Sequence, residues 1–343
     1  MIEIDGSINE GGGQILRTAL GLSAYTKKPF KIINIRKNRP QPGLKEQHLQ
    51  AVNATAILCN AEVTGNSLHS TNLTFIPKEI TKKELNIKVS TAGSIGLVLQ
   101  ALMIPALKSN LKISIDGGGD FGKWAPPTLH IQQVLIPLLE KMDYFCNLNI
   151  RRYGFYPKGG SQIEFFSNKS KLKRLNIASK EKIISINGIS AASSSLKTAR
   201  VSERQANSAK QILFKKFDMI PKINAIYSDS LCPGSGIQLW IKTENSFIGA
   251  NAIGELGKKS EIVGEEAANN LIFEFENGSI DQHTADQLIP YLALAGNSSI
   301  LASKITEHAK TNIKVVKKFM DVDFKIDGNL IASFLPKKEV KII

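Results

Sequence analysis

Among the five histidines of this 343-residue chain, His308 occupies a position suited to covalent chemistry. It stands in Glu307-His308-Ala309-Lys310-Thr311-Asn312, ahead of a helix predicted over Thr311–Met320 with Ile313, Val316 and Met320 at i, i+3 and i+7. An imidazole in that loop or at that helix N-terminus meets a dipole that disfavours a second positive charge. Neutral imidazole is a nucleophile and imidazolium is not. The alternative is an ordinary surface histidine.

Basic residues gather in two other places. In Glu10-Gly11-Gly12-Gly13-Gln14-Ile15-Leu16-Arg17, the arginine lies inside an otherwise apolar helix pattern. Arginine is rarely buried without a partner, and beside a glycine-rich helix N-terminus it can grip an anion together with free amides. Glu10 is placed to hold a metal or to pair with Arg17. Arg36-Lys37-Asn38-Arg39 and the following prolines form a basic loop, and Gln47 and His48 open the next helix. Planar bidentate guanidinium groups suit phosphate. Gln100 stands among Leu97, Val98, Leu99, Ala101 and Leu102, where a buried amide must bond either the fold or a ligand. His283, Asp286 and Gln287 share a helix face at i, i+3 and i+4. They form either a ligand surface or a well-capped helix start with Asp281 as N-cap.

The stretch Gly117 to Trp124 satisfies both G-x-G-x-x-G and G-x-x-x-x-G-K. Either phosphate-binding reading requires a helix to begin at once. Ala125-Pro126-Pro127 intervenes, and a residue before proline is pushed out of helical space. Both fingerprints are therefore rejected, and the glycines are expected to make a tight turn.

Strand and helix patterns alternate around these residues. Strands are predicted at Ile2–Ile4, Phe30–Ile35, Ala61–Val63, Leu73–Ile76, Leu85–Val89, Leu111–Ile115, Phe145–Ile150 and Ser161–Phe166. Helices are predicted at Gly13–Ala24, Gln47–Cys59, Ile95–Leu107 and Leu129–Met142. A shorter third copy follows: helix Thr284–Ala295, strand Ile300–Ala302, helix Thr311–Met320 and strand Leu330–Phe334. The helices GGGQILRTALGLSAY, TAGSIGLVLQALMIPAL and HTADQLIPYLALAG line up, which points to stacked copies of one unit. Residues 183–277 break the rhythm. A loop-like Ser190–Ser195 precedes a helix at Val201–Phe214, strands at Ile223–Ser228 and Ile237–Thr243, and a helix at Glu261–Glu274. This is read as an inserted domain.

Composition narrows the function. Lysine and arginine number 44 against 30 acidic residues, a formal charge of +14, which favours polyanionic partners with nucleic acid or nucleotide first. General solubility is the alternative. A composition of 42% hydrophobic and 22% charged residues excludes collagen, coiled coil and wholesale disorder. Cys59, Cys146 and Cys232 form no CxxC pair, so no zinc site or disulfide framework is suggested and a reducing cytoplasm fits. The acidic N-terminus lacks a signal-peptide pattern, and Leu97–Leu107 is too short to cross a bilayer of about 30 Å.

Taken together, EGGGQILR, the Arg36/Arg39 loop with PGLKEQHL, GSIGLVLQ, GGGDFGKWAPP, GFYPKGG, VGEEAANNL, HTADQ and EHAKTNI closely resemble the RNA 3′-terminal phosphate cyclase family, in family order over nearly the whole chain. The resemblance implies an α/β (α+β) fold. Three repeated βαβαββ-like units would form a catalytic domain from residues 1–182 and 278–343, interrupted by a smaller thioredoxin-like α/β domain at 183–277. It implies ATP-dependent conversion of an RNA 3′-terminal phosphate to a 2′,3′-cyclic phosphate, with ATP and RNA 3′ ends as partners. His308 would be the nucleophile, carrying AMP. Gln100, His283, Thr284, Ala285, Asp286 and Gln287 match ATP-contacting segments, and Pro127 and Ile253 fall near the places that contact adenine. Arg17, Arg36, Arg39, Gln47 and His48 match the phosphate and RNA-end site. Glu10 matches a ligand for a divalent metal, Mg2+ or Mn2+. A cytoplasmic enzyme with no membrane association and no obligate protein partner is expected. Two rivals stand beside it. One is a non-catalytic relative serving RNA processing or ribosome assembly. The other is an enolpyruvyl transferase, which uses a related repeat fold.

Overall fold

A computed structural model describes residues 1–9, 12–123 and 125–336. In chain order the first segment holds β1 (Ile2–Asp5), α1 (Gly13–Thr26), β2 (Phe30–Ile33), α2 (Glu46–Cys59), β3 (Glu62–Thr64) and β4 (Leu73–Ile76). The second holds β5 (Glu84–Ser94), α3 (Ile95–Ala106), β6 (Leu111–Gly119), α4 (Thr128–His130), a π turn (Ile131–Leu135), α5 (Ile136–Glu140), β7 (Cys146–Arg152) and β8 (Gln162–Ser167). After β9 (Asn176–Ile177) come β10 (Ile183–Ser193), α6 (Val201–Phe217), β11 (Lys222–Ser228), β12 (Ser235–Thr243), β13 (Phe247–Ile253) and α7 (Ser260–Asn277). The chain continues with α8 (Gln282–Ala295), β14 (Ser299–Leu301), α9 (Glu307–Phe319), β15 (Asp323–Asp327) and β16 (Leu330–Phe334).

These strands form four sheets of mixed sense. The orders β1-β2-β4-β3 and β5-β6-β8-β7 share one pattern: the first pair is parallel and the next two pairs are antiparallel. The sheet β9-β14-β16-β15 has the same pattern, with residues 178–298 lying between its first two strands in sequence. The fourth sheet, β11-β10-β12-β13, belongs to 183–277, and α6 and α7 cover it through their own apolar cluster.

One continuous core joins the first three sheets to α1, α2, α3, α8 and α9. Burial along α3 explains its composition. Every residue is buried except Gln100, so the helix is apolar all round with a single polar window. On α1 the less buried residues of the amino half are Gly13, Gln14 and Arg17, and on α8 they are Gln282, His283 and Gln287. The polar side chains are thus confined to one stripe by the need to bury the rest.

Several local readings change. Ser190–Ser195 is not a loop: its first four residues are the end of the central strand β10, and a short 3-10 turn follows. The small side chains of Ser190–Ser193 are buried against β12 and α6, where packing outweighs weak strand propensity. Helix α9 starts at Glu307, four residues before the predicted start, because Thr306 caps it by accepting a hydrogen bond from Ala309 N at 3.0 Å. The glycines do not make a tight turn: Gly117–Gly119 are the end of strand β6, where they allow close packing on β5. Gly117 and Gly118 have φ of +94° and +68°, and a methyl at Gly117 would lie 2.1 Å from Val89 O. Helix α4 begins only at Thr128, with Asp120 accepting from Thr128 N at 2.6 Å and from its hydroxyl at 2.8 Å. Burial raises the Asp120 carboxyl to about 6.

Candidate active site

Among the described residues, no side chain caps the amino end of α1. Gly12 is its N-cap, and no acidic residue occupies its first turn. Its free amides and positive dipole end form an anion site. The amino end of α9 lies beside it: a methyl added at Gly12 would lie 3.6 Å from His308 Cε1 and 3.3 Å from Arg39 Nη2. His308, the second residue of α9, therefore meets the glycine-rich turn and the basic loop at one point.

His48 closes this space from the α2 side. Its Nδ1 accepts a hydrogen bond from Lys45 N at 3.1 Å, which leaves the proton on Nε2. That nitrogen points at Gly13, where a methyl would lie 2.1 Å from it and 3.1 Å from Arg17 Nη1. Burial first, then the charges of Arg17, Arg36 and Lys45, depresses the imidazole to about 3. His48 is thus a neutral N–H donor among cations. Burial also lowers the Arg17 guanidinium to about 10, still charged at neutral pH. No described residue accepts a hydrogen bond from it.

Arg17 reaches the inner end of the stripe. A cavity of ≈ 40 Å³ there is walled by Gln14, Arg17, Gln100, Gln287 and Asn312, over Ile104, Leu135 and Tyr291. It has room for a few waters or one small polar group, not a nucleotide. The buried Oε1 of Gln287 has no hydrogen-bond partner, so the cavity wall presents an acceptor as well as donors.

The other predicted residues are placed as follows. Arg36 donates through Nη1 to Gln41 O at 2.8 Å and Gly43 O at 3.0 Å, so part of its guanidinium shapes the basic loop. Gln47 Oε1 accepts from Ser94 N at 2.9 Å and ties α2 to the start of α3. Thr284 and Ala285 are buried, and the Thr284 hydroxyl donates to Asp281 Oδ2 at 2.9 Å. Their side chains face the interior, while His283 is exposed. Asp286 is buried and accepts from the Thr306 hydroxyl, which fastens α8 to the cap of α9. Pro127 is the N-cap of α4, and Ile253 ends β13. Glu10 lies outside the described residues, and among those described no group of three His, Cys, Asp or Glu side chains could hold a metal. The three cysteines are buried and free.

Sequence reading missed the residues that fix these helices together. Asn312 accepts from the Thr18 hydroxyl at 2.8 Å and donates to Asp286 O at 2.7 Å, joining α1, α9 and α8. Asn9 donates to the Thr311 hydroxyl at 2.8 Å, which ties the loop before α1 to the α9 amino end, and Asn38 donates to Ser7 O at 2.9 Å, which ties the basic loop to that same loop. The available signal was spacing: Asn312 stands four residues after His308, on the same helix face.

Comparison with known proteins gives a consistent picture. The model of the RNA 3′-terminal phosphate cyclase family matches residues 8–326. A Pyrococcus abyssi protein named RNA 3′-terminal phosphate cyclase is 44% identical over 335 residues, 96% of this chain and 96% of its own. Its Sulfurisphaera tokodaii namesake is 42% identical over 99% of this chain and 100% of its own. A Methanosarcina barkeri protein of that name is 41% identical over 95% and 97%. No helix among the described residues is long and apolar enough to cross a membrane.

Proposed function

Because this chain belongs to the RNA 3′-terminal phosphate cyclase family, and so is an ATP-dependent ligase-type enzyme, we propose that it makes RNA 2′,3′-cyclic phosphates through AMP carried on His308. The observation that carries this reading is the meeting of His308, Arg39 and the uncapped α1 amino end at Gly12. His308 attacks the α-phosphorus of ATP and forms a P–N bond as the bond to pyrophosphate breaks. The AMP then passes to an oxygen of the RNA 3′-phosphate, freeing the imidazole. The neighbouring 2′-hydroxyl attacks that phosphate, loses its proton and expels AMP.

The chemistry explains the need for ATP. A phosphate monoester lacks a good leaving group, and adenylylation supplies one. The last step is intramolecular and gains a high effective molarity. Charge on phosphorus is met by α1 amides, Arg17, Arg39 and the His48 N–H. In this reading Gln100, His283 and Gln287 face the nucleotide. Thr284, Ala285 and Asp286 support it from behind, and Arg36 and Gln47 hold the walls. A divalent cation, Mg2+ or Mn2+, would enter with the triphosphate and Glu10 would be its carboxylate ligand; it would neutralise phosphate charge.

The three like-ordered sheets support reading residues 1–182 and 278–343 as three βαβαββ-like units, with 183–277 a thioredoxin-like insertion between β9 and α8. Cytoplasmic location with no obligate protein partner completes the proposal.

The test is incubation with α-labelled ATP. Acid-labile label on the wild-type protein and none on a folded His308→Ala variant is the expected result. Label retained by that variant would move the nucleophile elsewhere. No label on the wild type would favour a non-catalytic relative acting in RNA processing or ribosome assembly.

A further inference from the structure

A second histidine is buried at the junction of α8 and the 183–277 unit. His130, at the end of α4, is 1% exposed, and its neighbours Asp281, Thr284 and Gln238 are 0% exposed. The four come from separate parts of the chain: α4, the N-cap of α8, the first turn of α8, and β12 of the 183–277 unit. Gln238 Nε2 approaches His130 Nδ1 at 3.4 Å, which puts the ring proton on Nε2. That N–H donates to the Thr284 hydroxyl at 2.8 Å, and the hydroxyl donates to Asp281 Oδ2 at 2.9 Å. The same carboxylate accepts from Gly249 N in β13 at 3.0 Å, and its Oδ1 accepts from Thr284 N at 2.9 Å. Burial of His130 lowers its affinity for a proton, against the pull of Asp281.

This polar knot is expensive. The Oε1 of Gln238 is buried without a partner among the described residues, and the Asp281 carboxyl group is fully buried in the interface. Apolar side chains of the same volume would hold two surfaces together at less cost. What the polar groups add is direction, because each hydrogen bond fixes an angle. Gly249 has no side chain where His130 lies: a methyl there would be 2.8 Å from His130 Nδ1. The ring is therefore clamped between β13 and α8.

The helix so held leads to the candidate nucleophile. Five residues past Asp281, Asp286 accepts from Thr306, the N-cap of α9, and His308 is the second residue of α9. Two turns of helix thus link β13 to His308. We infer that His130 is a positioning residue for adenylyl transfer: with Gln238, Thr284 and Asp281 it sets the angle of α8 against the 183–277 unit, and through Asp286 and Thr306 the placement of His308. The inference rests on the reading of His308 as the AMP carrier.

The experiment compares the rate of His308 labelling by α-labelled ATP across ATP concentrations, with melting temperature measured in parallel. The variants are His130→Met, which keeps volume and loses both hydrogen bonds; Thr284→Val, which removes the linking hydroxyl; and His130→Gln, whose amide can reach Thr284. Misplacement of a reacting atom by a fraction of an ångström lowers the labelling rate at saturating ATP by about tenfold or more. That loss is expected in His130→Met and Thr284→Val, with substantial recovery in His130→Gln. If His130→Met fails to fold, Thr284→Val decides. Wild-type labelling rates in the folded variants, with melting temperature alone lowered, would reduce His130 to a structural role and overturn the inference. An unlabelled wild type would instead remove the His308 reading, and this inference with it.

Discussion

Replacing Gly13 by alanine separates site geometry from fold stability. The added methyl would lie 2.1 Å from His48 Nε2 and 2.6 Å from its Cδ2, where ordinary contacts begin near 3.4 Å. The imidazole must therefore recede by about 1 Å or more. Gly13 is the first residue of α1 and has no left-handed backbone angle, so alanine suits the helix and recovers a fraction of the ~1 kcal/mol by which glycine is disfavoured in helices. Against this, moving the ring weakens its bond from Lys45 N, a loss of about 1 kcal/mol, or up to ~3 kcal/mol if that buried N–H finds no other acceptor. The net cost is about 0 to 2 kcal/mol, a shift of a few degrees in melting temperature at most. The effect on chemistry is larger, since a misplacement of about 1 Å in a preorganised site costs on the order of 100-fold. The assay is kcat/KM for cyclising an RNA oligonucleotide with a 3′-phosphate, beside a thermal melt. Gly12→Ala, whose methyl would meet Arg39 at 3.3 Å, should cost far less, and Gly122→Ala, with nothing within 4 Å, should be neutral. A Gly13→Ala enzyme within about threefold of wild type would refute the placement of His48 in the phosphate site.

Three further outcomes follow from the same groups. Arg39→Ala should weaken use of the RNA phosphate more than it lowers stability, and an unchanged kcat/KM would remove Arg39 from the site. His48 has a folded value of about 3 against an ordinary 6.5, so its contribution is complete above about pH 6.5 and is lost as pH falls, by about 2 kcal/mol at pH 5. Asp120, raised from 3.8 to about 6, acts in the opposite sense and returns about 1 kcal/mol over that drop; denaturant titrations at pH 7 and 5 should therefore show Asp120→Asn losing more stability on acidification than wild type, and parallel profiles would contradict the assignment. Thr306→Val should slow His308 labelling while Thr306→Ser keeps it, because the hydroxyl both caps α9 and binds Asp286; equal rates in the two would detach Asp286 from the placement of His308.

The legible parts of this protein were those set by local rules. The runs around Ile15, Leu99 and Leu288 are helical because their apolar residues fill a core on nearly every side. That same density made Gln100 conspicuous, as the one polar interruption in α3. The rejection of the Gly117–Trp124 phosphate motifs likewise rested on Pro126 and Pro127, and α4 starts just after them. Long-range packing was illegible. Ser190–Ser193 has loop-like composition, yet small side chains are what a central strand needs where Ser202 and Gln205 of α6 close on it. The two-residue β9 is too short to carry a period, and it is recognised only by its pairing with β14, more than a hundred residues away. Asp286 illustrates the same limit at the site. Its spacing from His283 and Gln287 put it on a polar face, but its hydrogen bond to Thr306 turns it toward α9 rather than outward.

The division of labour among the cationic groups explains why the site is built on helices. Flexible loops carrying Arg17, Arg39 and Lys45 would separate under mutual repulsion, and part of the binding energy for phosphate would go to regathering them. Arg17 is instead fixed in α1, whose buried face admits no other rotation. Arg36 braces its own loop through Gln41 O and Gly43 O, which keeps Arg39 near Gly12 although burial and the nearby Arg39 both disfavour the Arg36 charge. Neutral His48 completes the enclosure, because a fourth charge there would add repulsion without adding a better donor than its Nε2–H. In the proposed reading, an entering triphosphate or RNA end would meet donors already held in place, which is the condition under which electrostatic stabilisation favours the transition state rather than the bound substrate alone.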